Sequence, residues 1–128
     1  MPLVTMTLNA GRDQATIDAM LDAIHAGLVS AGVPPADRFQ RVIELTARSF
    51  RYATRYPDLT TPRGERFVLI EILWSVGRSV KIKRPLAADI ASGVAAAAGI
   101  DVEQVIIVFI ETAWENWSFS GGRLLHAS

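Results

Sequence analysis

The hydrophobic and polar positions change period several times along the chain, and each change marks an element. From Leu3 to Leu8 the pattern alternates, with Val4, Met6 and Leu8 on one face and Thr5 and Thr7 on the other. A period of two predicts a half-buried strand that starts almost at the first residue. Gly11 ends it, and Asp13 offers the N-cap of a helix running to about Ala31. In that helix Ile17, Met20, Leu21, Ile24 and Leu28 recur at helical spacing and gather into one apolar stripe. Gly32 and the Pro34-Pro35 pair stop it. A second strand is expected from Arg38 to Leu45, with weaker patterning. The stretch from Thr46 to Glu65 shows no convincing period, and so long a connection in a small domain points towards function. Phe67 to Trp74 is apolar at nearly every position, which predicts a central third strand. Gly77 turns the chain, and Ser79 is placed to cap a second helix with Ile82, Leu86, Ile90 and Val94 on one face. Proline fits a first helical turn but kinks an interior, so Pro85 moves the expected start of the regular helix nearer Lys83. The alanine run to Ala98 supports this helix, Gly99 ends it, and Val105 to Glu111 reads as the fourth strand.

The order is strand–helix–strand, a long connection, then strand–helix–strand again. Each half fits a right-handed crossover between parallel strands. Two such units give an α+β domain with a four-stranded sheet and two helices on one face. No helix is left for the other sheet face, which predicts subunit association.

Composition narrows the function. The 128 residues suit one domain spanning residues 1–128, and at 50% hydrophobic they supply a real core. Thirteen basic and thirteen acidic residues cancel, so the charge calls for neither nucleic acid nor an anionic membrane as partner. The absence of cysteine excludes disulfides, thiolate zinc sites and cysteine nucleophiles, and two histidines argue against a metal. Asn9, Gly11, Arg12 and Asp13 interrupt any apolar signal segment, and no apolar run approaches the ~20 residues that span a bilayer. A cytoplasmic protein is the expectation.

The candidate chemistry sits at the N-terminus. A Met-Pro start is a good substrate for methionine removal, which would leave Pro2 as a secondary amine. A free α-amine titrates near 7.7–8.0, burial or a neighbouring arginine lowers that value, and a neighbouring carboxylate raises it. One nitrogen can therefore act as a base or as a cationic acid near neutral pH. Because Pro2 opens the first strand directly, the fold would hold the amine in place.

Four further stretches are in register with this reading. Pro2-Leu3-Val4 is followed by Asn9-Ala10-Gly11-Arg12, Val33-Pro34 by Asp37-Arg38-Phe39-Gln40, the third strand by Gly77-Arg78-Ser79, and Trp117-Ser118-Phe119 by Gly121-Gly122-Arg123. Together they resemble the tautomerase superfamily and, within it, the malonate semialdehyde decarboxylase group, over the chain from Pro2 to about Arg123. The resemblance implies the tautomerase fold of two β-α-β units in a mixed sheet, a homotrimer built around the sheets, and no cofactor. It implies Pro2 as the acid–base group in a small apolar pocket. Asp37 would orient water or tune the amine, and Arg78 would hold a substrate carboxylate with its fork of donors. Trp117 and Phe119 would form pocket wall, with Trp74 as a further substrate-binding candidate.

One position departs from the group. The decarboxylases carry two arginines at the end of the third strand, separated by one residue, and the first aligns here with Val76. A carboxylate held by Arg78 alone favours general keto–enol tautomerisation at least as much as decarboxylation. The isomer-specific chloroacrylate dehalogenases of the same superfamily share the Gly-Arg-Ser turn and a first-helix histidine, which His25 matches, but their long C-terminal extension has no counterpart. His25 reads more simply as hydrogen-bonded at a subunit contact.

Each candidate also has a plainer role. Asp37 could cap a turn after Pro34-Pro35-Ala36. Arg78 near a helix start is mildly unfavourable unless it meets an anion. Arg48, Arg51 and Arg55 fit a solvated helical turn, with a reach over a pocket as the alternative. Trp74, Trp114 and Trp117 suit packing, and neither Glu111 nor Glu115 receives a role. The sequence thus predicts a cofactor-independent tautomerase or decarboxylase of a small oxo-carboxylate. Its alternatives are a hydratase or hydrolytic dehalogenase of a 3-haloacrylate type of substrate, and a non-catalytic trimeric binding protein.

Overall fold

In the computed structural model, which describes residues Met1–Leu124, the opening alternation becomes β1 (Leu3–Asn9). Val4, Met6 and Leu8 are buried in the core, as the period of two requires. Gly11 turns the chain at φ 118°, a conformation that disfavours any side chain. α1 (Gln14–Ser30) starts where the Asp13 carboxylate accepts the Thr16 amide at 2.7 Å. Ile17, Met20, Ile24 and Leu28 form its buried stripe.

α2 (Val80–Ala98) starts earlier than the sequence suggests. The amides of Ile82 and Lys83 both donate to the Ser79 carbonyl at 3.0 Å, so the helix is under way before Pro85 rather than nearer Lys83. Proline deprives only the Lys81 carbonyl of its partner, and Lys81 lies on the exposed side, where water can replace it. Leu86, Ile90, Val94 and Ala98 then fill the core. The two helices approach closely at glycines: a Cβ on Gly27 would lie 2.9 Å from Ile90 Cγ1.

Both helices cover one face of a four-stranded mixed sheet of order β2-β1-β3-β4, with β2 (Phe39–Leu45), β3 (Val68–Ser75) and β4 (Val105–Thr112). β1 runs parallel to β2 and antiparallel to β3, and β3 runs parallel to β4. The other face carries exposed apolar side chains, with Phe39, Ile43, Val108 and Ile110 each 40–48% exposed. Singly exposed apolar residues are ordinary, but a row of them across a sheet marks a contact surface.

Residues 46–67 hold turns but no helix or strand, so the helical turn expected for Arg48, Arg51 and Arg55 is absent. The connection is organised by side chains instead. Arg63 Nη1 donates to the carbonyls of Ala53 and Tyr56, and buried Gln104 accepts the Gly64 amide at 2.9 Å while donating to the Pro62 carbonyl at 3.0 Å. Phe50, Tyr52 and Phe67 form an aromatic cluster that anchors it. After β4, a short turn at Trp114–Asn116 leads into a hairpin of β5 (Ser118–Ser120) and β6 (Arg123–Leu124). The sequence reading does not anticipate this hairpin.

Candidate active site at the N-terminal end of β1

Strand register brings distant residues to one end of the sheet. The antiparallel pair Leu3↔Leu73 sets the start of β1 beside the end of β3. The parallel pair Leu3↔Phe39 sets the same start beside the residues that lead into β2. The pairs Trp74↔Glu111 and Ser75↔Thr112 add the end of β4. Pro2, Asp37, Arg78 and Glu111 therefore gather at one edge although they span most of the chain.

Pro2 is buried. The ammonium of Met1 lies 3.7 Å from Asp37 Oδ2, and both side chains are mostly buried. With Met1 in place the Pro2 nitrogen is a tertiary amide, with neither a proton nor a basic lone pair. Removal of Met1 would transfer the free amine to Pro2, one residue further into the fold.

Arg78 follows Gly77, which turns at φ 123°. Its Nη1 donates to the Ser75 carbonyl at 2.9 Å, and its guanidinium carbon lies 4.1 Å from the centroid of the Trp74 ring. These two contacts fix the fork. Burial pulls the Arg78 guanidinium down from its ordinary value, against the charges of Glu111 and Asp37, which push it up. Arg78 makes no ion pair within 4 Å among the described residues. A half-buried cation with acids nearby, but none bonded to it, is suited to receive a carboxylate.

Trp74 is fully buried, and its ring stacks on Phe109 at 5.3 Å with 13° between the planes. It belongs to the core cluster and serves as the platform for Arg78. Its indole nitrogen and the buried Ser75 hydroxyl have no hydrogen-bond partner among the described residues. Trp117 and Phe119 meet each other at 5.6 Å on the terminal hairpin, where Phe119 is 44% exposed.

Glu111, to which the sequence reading gives no role, and His25 also belong here. Glu111 accepts from Lys83 Nζ at 2.5 Å, which joins the end of β4 to the first turns of α2. The pairing of β3 with β4 brings Glu111 into place, and no local motif announces it. His25 Nε2 meets the Pro35 carbonyl of its own chain at 2.8 Å, so the ring ties α1 to the turn that presents Asp37. Among the described residues no group of three or more His, Cys, Asp or Glu side chains could hold a metal ion, and no helix is long and apolar enough to cross a membrane.

A family model described as "Tautomerase enzyme" matches residues 37–120. The chain is 28% identical over 124 residues to the "Probable tautomerase YusQ" of Bacillus subtilis (strain 168), covering 96% of each. A crystal structure of a malonate semialdehyde decarboxylase inhibited by 3-bromopropiolate superposes with a TM-score of 0.86 at 27% identity, covering 95% of this chain and 92% of that one. A second malonate semialdehyde decarboxylase, described for decarboxylase and hydratase activities, gives a TM-score of 0.86 at 29% identity, covering 95% and 93%.

Proposed function

Because the chain belongs to the tautomerase superfamily, in the group that resembles malonate semialdehyde decarboxylase, we propose that Pro2, once free, moves a proton on a small oxo-carboxylate, with keto–enol tautomerisation as the reaction. The observation that carries this reading is the meeting of Pro2, Asp37 and a stacked, unpaired Arg78 at one sheet end. Arg78 holds the substrate carboxylate. The Pro2 amine takes the enol O–H proton, the oxygen becomes a carbonyl as the electron pair of the C=C bond takes that proton back from the ammonium at carbon, and the amine is free again. Asp37 tunes or orients the amine, since a neighbouring carboxylate favours its protonated form. Trp117 and Phe119 supply wall from the hairpin. An apolar surround strengthens each of these charges by excluding water.

Decarboxylation is the second reading, favoured by the similarity to the two decarboxylases. The bond between the carboxylate and the α-carbon breaks, its electrons flow towards a β-carbonyl polarised by cationic Pro2, and the resulting enol is protonated at carbon. Val76 leaves this substrate one guanidinium fewer to hold it, which favours tautomerisation as the main reaction.

Methionine processing tests the assignment. Protein whose mass shows Met1 removed is expected to accelerate ketonisation of the enol of an aryl pyruvate, read as ultraviolet decay. The same chain retaining Met1 is expected to fall to the uncatalysed rate. Equal rates would remove Pro2 from the mechanism.

The open sheet face is assigned to a homotrimer contact on the strength of its exposed Phe39, Ile43, Val108 and Ile110. Burying apolar surface contributes about 25 cal/mol per Å², so a charge in this row opposes association strongly. Val108→Asp is expected to shift the mass in solution from three times 13.9 kDa to the single-chain value. Light scattering on a sizing column reads this directly, and an unchanged mass would place the contact elsewhere.

A further inference from the structure

The two halves of the chain are related by an internal two-fold. In the antiparallel pairing of β1 with β3, the pair Leu3↔Leu73 exchanges with the pair Thr7↔Leu69 under that axis. Gly11 and Gly77 turn at φ 118° and 123°, and each is followed by an arginine and then by the residue that caps a helix. Arg12 is therefore the counterpart of Arg78, and the opposite end of the sheet is the counterpart of the Pro2 end. A cavity of about 780 Å³ opens there, lined among others by Asn9, Arg12, Arg51, Tyr52, Glu65 and Arg66.

The charges around this cavity are not balanced. Three guanidinium groups face one carboxylate, that of Glu65, and none of the four makes an ion pair within 4 Å among the described residues. Arg12 Nη2 donates to the Arg66 carbonyl, and Arg66 Nη2 donates to the Ala98 carbonyl, so a backbone oxygen holds each cation in place. Burial and the charge of Arg66 together pull the Arg12 guanidinium down from its ordinary value. Phe50 and Tyr52 add aromatic wall, fixed by their contacts with Phe67. The two-fold sets Val68 opposite Pro2, and Val68 lies inside the chain, so its nitrogen is an amide. None of the residues lining the cavity offers an amine that could take up a proton.

We infer that the cavity at the Arg12 end is a second, non-catalytic binding site for a small carboxylate with an apolar or aromatic body. Arg12 and Arg66 meet the carboxylate, Arg51 adds charge at the rim, and Phe50 and Tyr52 pack on the body. A bound anion relieves the repulsion between the guanidinium groups, which gives the site a reason to fill. The inference stands on the internal two-fold and the cavity, and holds whether or not Pro2 is catalytic.

Calorimetric titration with benzoate tests it on the full chain carrying Arg78→Ala, so that the Pro2 end contributes little, with inorganic phosphate as the second probe. The expected result is saturable binding of one benzoate per chain, with phosphate at least tenfold weaker. Arg12→Gln and Arg51→Glu, each added to that background, should weaken benzoate at least tenfold. Arg51 is exposed and makes no side-chain hydrogen bond among the described residues, so its variant keeps the test valid if Arg12→Gln loosens the loop. Absence of saturable benzoate binding, phosphate binding as tight as benzoate, or an unchanged affinity with Arg51→Glu would each overturn the inference.

Discussion

Replacing Pro2 with alanine is expected to lower the ketonisation rate by about 10²- to 10⁴-fold, the range that a positioned acid–base group contributes. The variant does not remove the amine. After methionine removal the substituted chain still ends in a nitrogen, but a primary one that rotates freely about its N–Cα bond. Proline fixes that torsion through its ring, and the buried start of β1 fixes the ring. The variant thus changes the aim of the lone pair and its solvation more than its presence, so residual activity above the uncatalysed rate is expected. Chain retaining Met1 has no amine at Pro2, so its activity should be lower than that of the alanine variant. The order processed wild type, then alanine variant, then Met1-retaining chain is the signature of catalysis by the nitrogen. An unchanged helix signal and solution mass would show that the loss is chemical. If the alanine variant kept full activity with the same pH profile, the working group would lie elsewhere.

The parts of this fold that were legible in sequence are those set by local period and capping. Val4, Met6 and Leu8 alternate into the core, Asp13 caps α1, and the stripe from Ile17 to Leu28 is buried. Pro85 misleads because its cost depends on whether water can reach one carbonyl, which only the folded surface decides. The connection from 46 to 65 resists pattern reading because its backbone is satisfied by Arg63 and Gln104, and Gln104 lies 40 residues from its partner Gly64. The same holds at the candidate site. Pro2 and the Gly77-Arg78 turn are candidates that a sequence can display by residue type and spacing. Glu111 is recruited only through the register of β3 with β4. Trp74 looks like a pocket residue by type, yet its parity with Ile70 and Ile72 along β3 places it under the helices. It acts on the site through the cation resting on it.

That arrangement makes Arg78 the second position at which a large effect is expected. Arg78→Ala should raise KM for a carboxylate substrate by about 10- to 100-fold, since hydrogen bonds to charged groups contribute about 1.5–3 kcal/mol. The loss should fall on binding, because the carboxylate keeps its charge through a tautomerisation. Arg78→Lys should recover little of it. Lysine retains the charge but has no planar fork to lie on the Trp74 ring, and its compact ammonium is more strongly hydrated. Comparing a carboxylate inhibitor with its neutral amide analogue isolates the contact. The carboxylate should weaken by the full factor in both variants, while the amide, already weak, should change little. Equal weakening of both inhibitors would mean that Arg78 shapes the pocket through Trp74 and Ser75 without meeting the substrate. A rise in kcat alongside the raised KM would point to decarboxylation. In that reaction the carboxylate loses its charge as carbon dioxide leaves, so a guanidinium bound to it holds the complex more tightly than the transition state, and its removal weakens binding while easing the step itself.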